Sequence, residues 1–341
     1  MRLSRPTLAA LLLLALSAAP VLAGPPARAD AARAEHERVV RFWTPARMAA
    51  AIPRDRALSG EAALSPNNNG KGKPGGGGGD GGDTSTTNVT GAGWGNKGGT
   101  VRTAVGKVFF KLSGTLYTCS GSVANDSRST YSLVLTAAHC AFDETGDVFA
   151  TDWLFIPDYE ASPTRTCNNT KYGCWTASAL VIHKGYKDAT GFNSQATVHD
   201  FAFAVVGGGG KSGESKQLDT TVGSFPITFN QFAEGTRMYA FGYPAAGKYK
   251  GNKLIYCAGP IFYDSWNDNQ TYGLACDMTG GSSGGPWFTN FNESTGSGTL
   301  SSLNSYGYSS LKGYMFGPKF NDNTADVYNS ADGATSDTIV P

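Results

Sequence analysis

Three stretches decide the fold of this chain: TAAHC at residues 136–140, HDFAFAVV at 199–206 and TGGSSGGP at 279–286. A serine hydroxyl is a weak nucleophile at neutral pH. It therefore needs a general base within hydrogen-bond reach, and that base needs a carboxylate to orient it. The three stretches supply these groups as His139, Asp200 and Ser283, which predicts a nucleophilic triad of base, orienting acid and nucleophile.

The order of these residues along the chain separates unrelated folds that share this chemistry. The string GSSGG at residues 281–285 also satisfies the nucleophile-elbow pattern of α/β-hydrolases, in which the serine precedes the histidine. All histidines of this chain precede Ser283: His36, His139, His183 and His199. A subtilisin order would require an aspartate before the histidine and leaves the context of His139 unexplained. The order His, Asp, Ser favours the chymotrypsin arrangement.

TAAHC and GGSSGGP give the chain its resemblance to a known family. It resembles secreted serine proteases of the trypsin and chymotrypsin superfamily, closest in style to the bacterial glutamyl-endopeptidase-like branch, over roughly residues 101–313. The resemblance implies an all-β fold with two antiparallel six-stranded β-barrels and the active site in the cleft between them. It also implies a serine endopeptidase that cleaves protein or peptide substrates through an acyl-enzyme.

The residue pattern agrees with a β fold. Short apolar or alternating segments rich in β-branched and aromatic residues are separated by Gly, Asn, Asp and Ser clusters, which predicts strands. The predicted strands are residues 105–112, 116–123, 131–136, 153–156, 179–182, 201–206, 237–243 and 253–262. Downstream of residue 101, a helical turn is predicted only near the end, at residues 325–329.

The N-terminal stretch predicts secretion. MRLSRP is basic, an apolar run follows at residues 8–22, and small residues end it at Ala23, which is the layout of a signal peptide at residues 1–23. Cleavage after Ala29 is a second candidate. A membrane anchor is the alternative, but a bilayer needs about 20 apolar residues and this run is short. We expect a secreted, soluble protein.

Composition divides the chain further. Residues 30–64 are rich in Ala, Arg and Glu and predict a helical part of a propeptide at 24–64, whereas the Gly-rich run that follows cannot bury enough apolar surface to fold. We therefore predict a disordered linker at 65–93 and a protease domain at 94–341. The alternative is that both segments remain as a flexible tail. The net charge is +1 and no cluster of basic and aromatic residues occurs, so we expect no nucleic acid as a partner. We also expect a monomer that uses no cofactor and no metal.

The cysteines predict disulfides. All six lie in the predicted secreted domain, and six cysteines allow fifteen pairings. The resemblance implies that Cys140 pairs with Cys119, which ties the loop of the base to the first barrel. Proximity in sequence then pairs Cys167 with Cys174, and Cys257 with Cys276. A zinc site is disfavoured because no CxxC or Cys/His ligand spacing occurs.

Glycines around Ser283 suit an oxyanion hole, since glycine permits the turn that brings backbone N–H groups together. Gly281 and Ser283 are the predicted donors. In trypsin-like zymogens an aspartate before the nucleophile captures the new N-terminal amine, whereas this chain has Ser282 there. We expect a propeptide that blocks the cleft or assists folding. Asp188 is the fallback for Asp200, and His199 is expected to be an adjacent surface residue.

Specificity rests on two stretches. The run Ser305, Tyr306 and Gly307 resembles the Ser-Trp-Gly strand of the family, whose backbone pairs with substrate and whose serine supports the triad aspartate. Glutamate-specific relatives carry a histidine just before the corresponding aromatic residue, and Ser305 stands there instead. Asp277 lies at the offset where trypsin places the acid that attracts Arg or Lys. A catalytically silent binding module and a secreted esterase remain as alternative functions.

Overall fold

The computed structural model describes residues 25–58, 88–161 and 166–341. The predicted signal peptide at 1–23 and residues 65–87 of the predicted linker lie outside this part of the chain. Within it, the chain is mostly β and forms two strand-built halves. None of the helices in these ranges is both long and apolar enough to cross a membrane.

Six antiparallel strands close into a barrel: Val105–Leu112, Thr115–Ala124, Ser132–Thr136, Thr151–Pro157, Trp175–His183 and Ala202–Val206. The barrel closes because Thr115–Ala124 pairs with both Val105–Leu112 and Ser132–Thr136. The first hairpin turns at Ser113 and Gly114, which both have positive φ, as a two-residue type I′ turn requires. All six strands coincide with segments that the sequence pattern predicts.

The second half contains six main strands in two hydrogen-bonded sheets. One sheet holds Arg237–Gly242, Ile255–Pro260, Pro286–Asn292 and Ser297–Leu303, and the other holds Thr271–Ala275 and Tyr314–Pro318. The sheets meet where the Ser302 hydroxyl donates to the Pro318 carbonyl over 2.7 Å. Met238, Tyr272 and Trp287 fill the core between them. The predicted all-β, two-barrel architecture is thereby confirmed.

Short elements complete the two halves. The short strands are Ile52–Pro53, Ala57–Leu58, Phe142–Asp143, Val148–Phe149, Phe262–Tyr263, Gly307–Tyr308 and Thr338–Val340. The short α-helices are Pro45–Ala50, Thr100–Ala104, Lys184–Lys187, Ser194–Val198 and Leu218–Val222, and the 3-10 helices are Gly95–Lys97, Ala138–Cys140, Tyr159–Ala161, Cys167–Asn169 and Ser265–Asn267.

The C-terminal helix is longer than the predicted turn. It spans Asp322–Gly333 and begins with a capping box, in which Asn321 and Thr324 satisfy each other's backbone N–H groups. Val327 and Ala331 on its buried side pack into the core of the first barrel. The apolar residues of this helix are few, so its hydrophobic pattern is weak, and packing rather than pattern defines its length.

The N-terminal helix Pro25–Phe42 packs on the outside of the first barrel. Val39 and Trp43 are buried there, and the Trp43 indole N–H donates to the carbonyl of Asp152 over 2.5 Å. Arg38 forms an ion pair with the Asp152 carboxylate. Helix therefore occupies only part of the stretch predicted at 30–64, and residues 51–58 are extended, whereas 59–64 lie outside the described residues.

The boundary predicted between linker and protease domain needs a correction. Asn88–Gly93 is a strand that pairs antiparallel with Ile255–Pro260, so the second half already includes residues assigned to the linker at 65–93. Trp94, which follows, is buried edge-on against Phe241. The stretch NVTGAG is glycine-containing and short, so only its partner strand identifies it as structured.

Candidate active site

His139 stands at the end of a buried strand of the first barrel. Ser132–Thr136 is apolar and buried, and the short 3-10 helix Ala138–Cys140 turns the chain immediately after it. A disulfide between Cys119 and Cys140 ties this turn to the neighbouring strand. The imidazole is buried, and its position is fixed by strand, turn and disulfide together.

The strand register brings Asp200 to His139. Ala202 pairs with Thr136, so the residues just outside the two strands are neighbours. Asp200 Oδ2 lies 2.7 Å from His139 Nδ1, and Asp200 Oδ1 accepts the backbone N–H of His139 over 2.8 Å. The Ser305 hydroxyl donates to Asp200 Oδ2 over 2.5 Å. His139, Asp200 and Ser305 therefore form one connected hydrogen-bond network.

The environment keeps Asp200 charged. Burial alone raises the pKa of a carboxyl group, but the nearby His139 and the hydrogen bonds from His139 and Ser305 together hold the pKa of Asp200 below its ordinary value. A charged Asp200 places the imidazole proton on Nδ1. The other nitrogen, Nε2, is buried and has no hydrogen-bond partner within the residues that the structure describes. It is free to accept a proton.

The turn that carries Ser283 is shaped by glycines that nothing larger can replace. Gly281 and Gly284 have φ of +92° and +79°. A Cβ on Gly284 would overlap the hydroxyl of Thr136 and the carbonyl of Ser120 in the first barrel. This close approach brings Ser283 against the strand end that leads to His139.

Ser120 locks that contact and was missed by the sequence analysis. Its backbone N–H donates to the carbonyl of Ser283 over 2.7 Å, and its hydroxyl donates to the carbonyl of Gly281 over 2.8 Å. Nothing in the local sequence marks Ser120, because its role depends on a turn far along the chain.

The N–H groups of Gly281 and Ser283, predicted as oxyanion donors, are uncommitted. Neither donates a hydrogen bond to another atom in the described ranges. Ser282 lies between them, and its hydroxyl donates to the carbonyl of Thr279 over 2.8 Å. The turn is thus held by its own residues, without an incoming amine. Free backbone donors on either side of Ser282, one of them that of Ser283, suit an oxygen that acquires negative charge.

A cavity of about 390 Å³ opens beside Ser283. The Ser283 turn contributes Gly280 and Ser282 to its walls. The predicted substrate residues Ser305, Tyr306 and Gly307 also line it. Asp277 also lines it, but its carboxylate accepts from Lys248, from the Tyr249 hydroxyl and from the Gly91 N–H. Although partial burial opposes them, these bonds hold the pKa of Asp277 below its ordinary value. Asp277 therefore already has a cation partner inside the protein.

A buried acid, Asp264, accepts hydrogen bonds from the predicted substrate strand. Asp264 is buried, and the hydroxyls of Tyr306, Tyr308 and Thr271 donate to its Oδ2 over 2.5, 2.8 and 3.3 Å. The first two residues flank Gly307. The sequence analysis missed Asp264, because this acid and the residues it holds are far apart in the chain.

An extended N-terminal segment, residues 51–58, crosses the cleft. Ile52–Pro53 pairs in parallel with the strand at Tyr117, and Ala57–Leu58 pairs in parallel with Gly307–Tyr308. Between these pairings, the Asp55 carboxylate lies against Gly280, where a Cβ would overlap it. Burial raises the pKa of Asp55, an effect that the neighbouring His139 reduces. The segment thus contacts both sides of the cleft that holds His139 and Ser283.

The fallback acid Asp188 and the adjacent His199 have other partners. Asp188 is exposed and forms an ion pair with Lys184. His199 is half-buried and stacks on His183 with ring centroids 4.6 Å apart. Cys119 and Cys140 lie close enough to His139 to suggest metal ligands, but a disulfide occupies both sulfurs. The other disulfides, Cys167–Cys174 and Cys257–Cys276, complete the predicted pairing.

Comparisons with known proteins agree on one family. Residues 119–296 match the trypsin-like peptidase domain. The protease Anisep from Arthrobacter nicotinovorans shares 36% sequence identity with this chain. Its crystal structure superposes with a TM-score of 0.57, and the match covers 68% of this chain and 96% of that chain. The thermostable serine protease AL20 from an extremophilic microorganism is 35% identical with a TM-score of 0.58, covering 69% and 99%.

A Glu endopeptidase in complex with MPD shares the fold at 18% identity and a TM-score of 0.53, covering 72% of this chain and 97% of that chain. A comparison with curated protein sequences gives no match.

Proposed function

Because the chain belongs to the trypsin-like peptidase family, we propose that it is a secreted serine endopeptidase with His139, Asp200 and Ser283 as its catalytic triad. The observation that carries this proposal is the hydrogen-bond network of Asp200, His139 and Ser305. In this network Nε2 of His139 has no partner among the described residues, and His139 follows the strand that contacts the Ser283 turn. Three disulfides fit an extracellular protein.

The geometry supports a two-step acyl transfer. His139 Nε2 takes the proton of the Ser283 hydroxyl as its oxygen attacks the peptide carbonyl carbon, and the N–H groups of Gly281 and Ser283 stabilise the resulting oxyanion. The His139 proton then goes to the leaving amine, which departs and leaves an acyl-enzyme. Water attacks that ester while His139 takes its proton, and His139 then gives this proton to the Ser283 oxygen, which releases the acid and restores the hydroxyl. Charged Asp200 stabilises the imidazolium in both steps.

We propose in addition that residues 51–58 keep the protease inactive until they are removed, as part of a propeptide. The segment lies on Gly307 and Gly280, where a substrate must bind. Its own pairing with both barrels supports a cleft-blocking role over a role in folding alone.

Active-site labelling tests the first proposal. A fluorophosphonate forms a covalent bond with an activated serine, so the processed chain is expected to label at Ser283 and to digest casein. The Ser283→Ala variant, folded and with its disulfides intact, is expected to do neither. Labelling without casein digestion would support the alternative of a secreted esterase, and the absence of both would support a silent binding module.

Release of the segment tests the second proposal. A cleavage site for an unrelated, highly specific protease is placed in residues 70–80, and the full chain is folded before it is cut. Activity is expected to appear only after cutting and dilution. Full activity in the uncut chain would contradict a blocking role for residues 51–58.

A further inference from the structure

One carboxylate at the cleft has no part in the proposed mechanism. Glu144 follows the loop of His139, and its side chain is only 1% exposed. The guanidinium of Arg56 lies 2.9 Å from Glu144 Oε1, and the Tyr186 hydroxyl donates to Oε2 over 3.1 Å. Arg54 lies further away, at 3.6 Å. A buried carboxylate is costly without such partners.

The cations that face Glu144 come from the cleft-crossing segment. In the described part of the chain, Arg54 and Arg56 are the only basic residues in ion-pair distance of Glu144, and both belong to residues 51–58. Once that segment leaves, Tyr186 is the remaining hydrogen-bond donor. Burial, together with nearby Asp200 and Glu144, raises the pKa of Tyr186, so this hydroxyl stays protonated but carries no positive charge. The emptied position therefore favours another cation.

The position has the shape of an arginine site. The guanidinium of Arg56 also lies over the ring of Phe192, 5.4 Å from its centroid, in addition to its contact with Glu144. A carboxylate and an aromatic face together suit a planar guanidinium better than a compact ammonium. Phe192 meets His139 edge-on with centroids 5.9 Å apart, which places this site beside the proposed base.

We propose that Glu144, Phe192 and Tyr186 form a subsite that binds a basic side chain, preferably arginine, of the peptide substrate. Arg56 fills this subsite while residues 51–58 occupy the cleft. The proposal rests on the proposed endopeptidase function. It assigns a basic preference to Glu144 and not to Asp277, whose carboxylate is already paired with Lys248.

A substrate series tests the subsite. The full chain with a cleavage site in residues 70–80 is folded, cut and separated from its N-terminal part. Neutral reporter peptides then carry a single arginine or glutamine at each position in turn. We expect arginine to raise kcat/KM about tenfold over glutamine at one position, because a partly buried charge pair contributes a factor of about this size. Glu144→Gln, which keeps the volume and can still accept from Tyr186, is expected to remove that gain.

The matched control is Asp147→Asn, an acid on the same loop that contacts Lys187 and not the segment. It is expected to keep the full preference for arginine. A preference that survives in Glu144→Gln, or no position at which arginine helps, overturns the subsite.

Binding without catalysis gives an independent readout. The cut chain with Ser283→Ala is titrated by calorimetry with a synthetic peptide of residues 51–58, and with the same peptide carrying Arg56→Gln. We expect the substitution to weaken binding about tenfold in the parent and much less in Glu144→Gln. Equal loss in both chains overturns the proposal. Failure of the endopeptidase proposal would appear separately, as absent fluorophosphonate labelling.

Discussion

At the scale of single residues, the site depends on a buried acid whose charge is maintained by donors. Asp200 accepts from His139 twice and from Ser305 once. Each donor favours the ionised form and so opposes the effect of burial. The acid can remain charged at a depth where an isolated carboxylate would take up a proton.

Ser305→Ala tests this balance through pH. The Ser305 bond lowers the pKa of Asp200, so its removal raises that pKa, and Asp200 is protonated at a higher pH than in the parent. We expect kcat/KM to fall roughly tenfold near neutral pH, the worth of a hydrogen bond to a buried charge. The carboxyl group of Asp200 should also take up its proton at a higher pH than in the parent. Peptide kinetics near neutral pH and an NMR titration of the Asp200 carboxyl measure the two effects.

The control is Ser301→Ala, which removes a buried hydroxyl that meets Thr289 and not Asp200. Its Asp200 carboxyl should titrate as in the parent. An unshifted Asp200 titration in Ser305→Ala would mean that Ser305 does not govern the charge of Asp200.

The triad substitutions should act as a unit. Ser283→Ala and His139→Ala each remove most of a contribution of about 10⁶-fold to kcat, and Asp200→Asn somewhat less, because base and nucleophile depend on each other. Single-peptide kinetics on folded variants measure this. Retained activity in Ser283→Ala would show that another residue is the nucleophile.

Single residues also show which parts of the candidate site can be predicted from the sequence. The candidate triad of His139, Asp200 and Ser283 could be proposed from sequence because each residue stands in a local motif, and their order along the chain selects one arrangement. Ser120, Asp264 and Glu144 were not, since each acts through residues far away in the chain. A residue whose role depends on long-range packing carries no local signal.

At the scale of elements, the loop of the base is held by one disulfide. Cys119–Cys140 spans 21 residues and Cys167–Cys174 spans 7, so chain entropy makes them worth about 3 and about 2.5 kcal/mol. Replacing either pair by alanine should lower the free energy of unfolding by about these amounts. Only loss of Cys119–Cys140 should also lower kcat, because it frees the turn that carries His139.

Denaturant unfolding and peptide kinetics on both paired variants separate stability from activity. If kcat falls equally in the two variants, the Cys119–Cys140 bond has no special role in positioning His139.

The substrate strand offers a second test at this scale. Asp264 holds the hydroxyls of Tyr306 and Tyr308, which flank the residue that is expected to pair with substrate. Asp264→Asn should weaken both bonds and raise KM several-fold with a smaller change in kcat, because the strand moves while the triad stays in place. Asp268→Asn is the control, an exposed neighbour with positive φ that asparagine tolerates. A fall in kcat alone would contradict this role.

The elements show the same limit of prediction as the residues. The strands of the first barrel are apolar or alternating and were predicted. Neither Pro286–Asn292, which mixes aromatic residues with Asn and Thr, nor Ser297–Leu303, which is rich in Ser, Thr and Gly, was predicted. These two strands form because they pair with each other and with Arg237–Gly242. Pairing partners, more than intrinsic propensity, decide such polar strands.

At the scale of the whole molecule, we expect the position at which the protease half begins to affect stability more than activity. The Ser282 hydroxyl donates to the carbonyl of Thr279, so we expect the Ser283 turn to keep its shape without an N-terminal amine. Chains beginning at residue 88, or carrying extra residues before it, should therefore share one kcat/KM on a test peptide. Chains beginning at 94 or later lose the strand Asn88–Gly93 and should unfold at lower denaturant concentration.

Peptide kinetics and urea unfolding of chains that begin at 86, 88, 94 and 101 measure the two effects. A single active start, with activity lost by orders of magnitude when one residue is added, would indicate capture of the amine. Asp277 would then be the acceptor to test, because it already binds the N–H of Gly91.

The cleft-crossing segment and the cleft belong to one polypeptide, and this connection determines how the protease would switch. A ligand on a short tether experiences an effective concentration in the millimolar range. A segment with a dissociation constant of about 10 μM would then leave only about 1% of clefts open while the chain is intact. After one cut between residues 58 and 88, the same contacts face dilution, and at nanomolar protein nearly all segments would dissociate. One hydrolysed bond would turn weak binding into irreversible release without any change in the barrels.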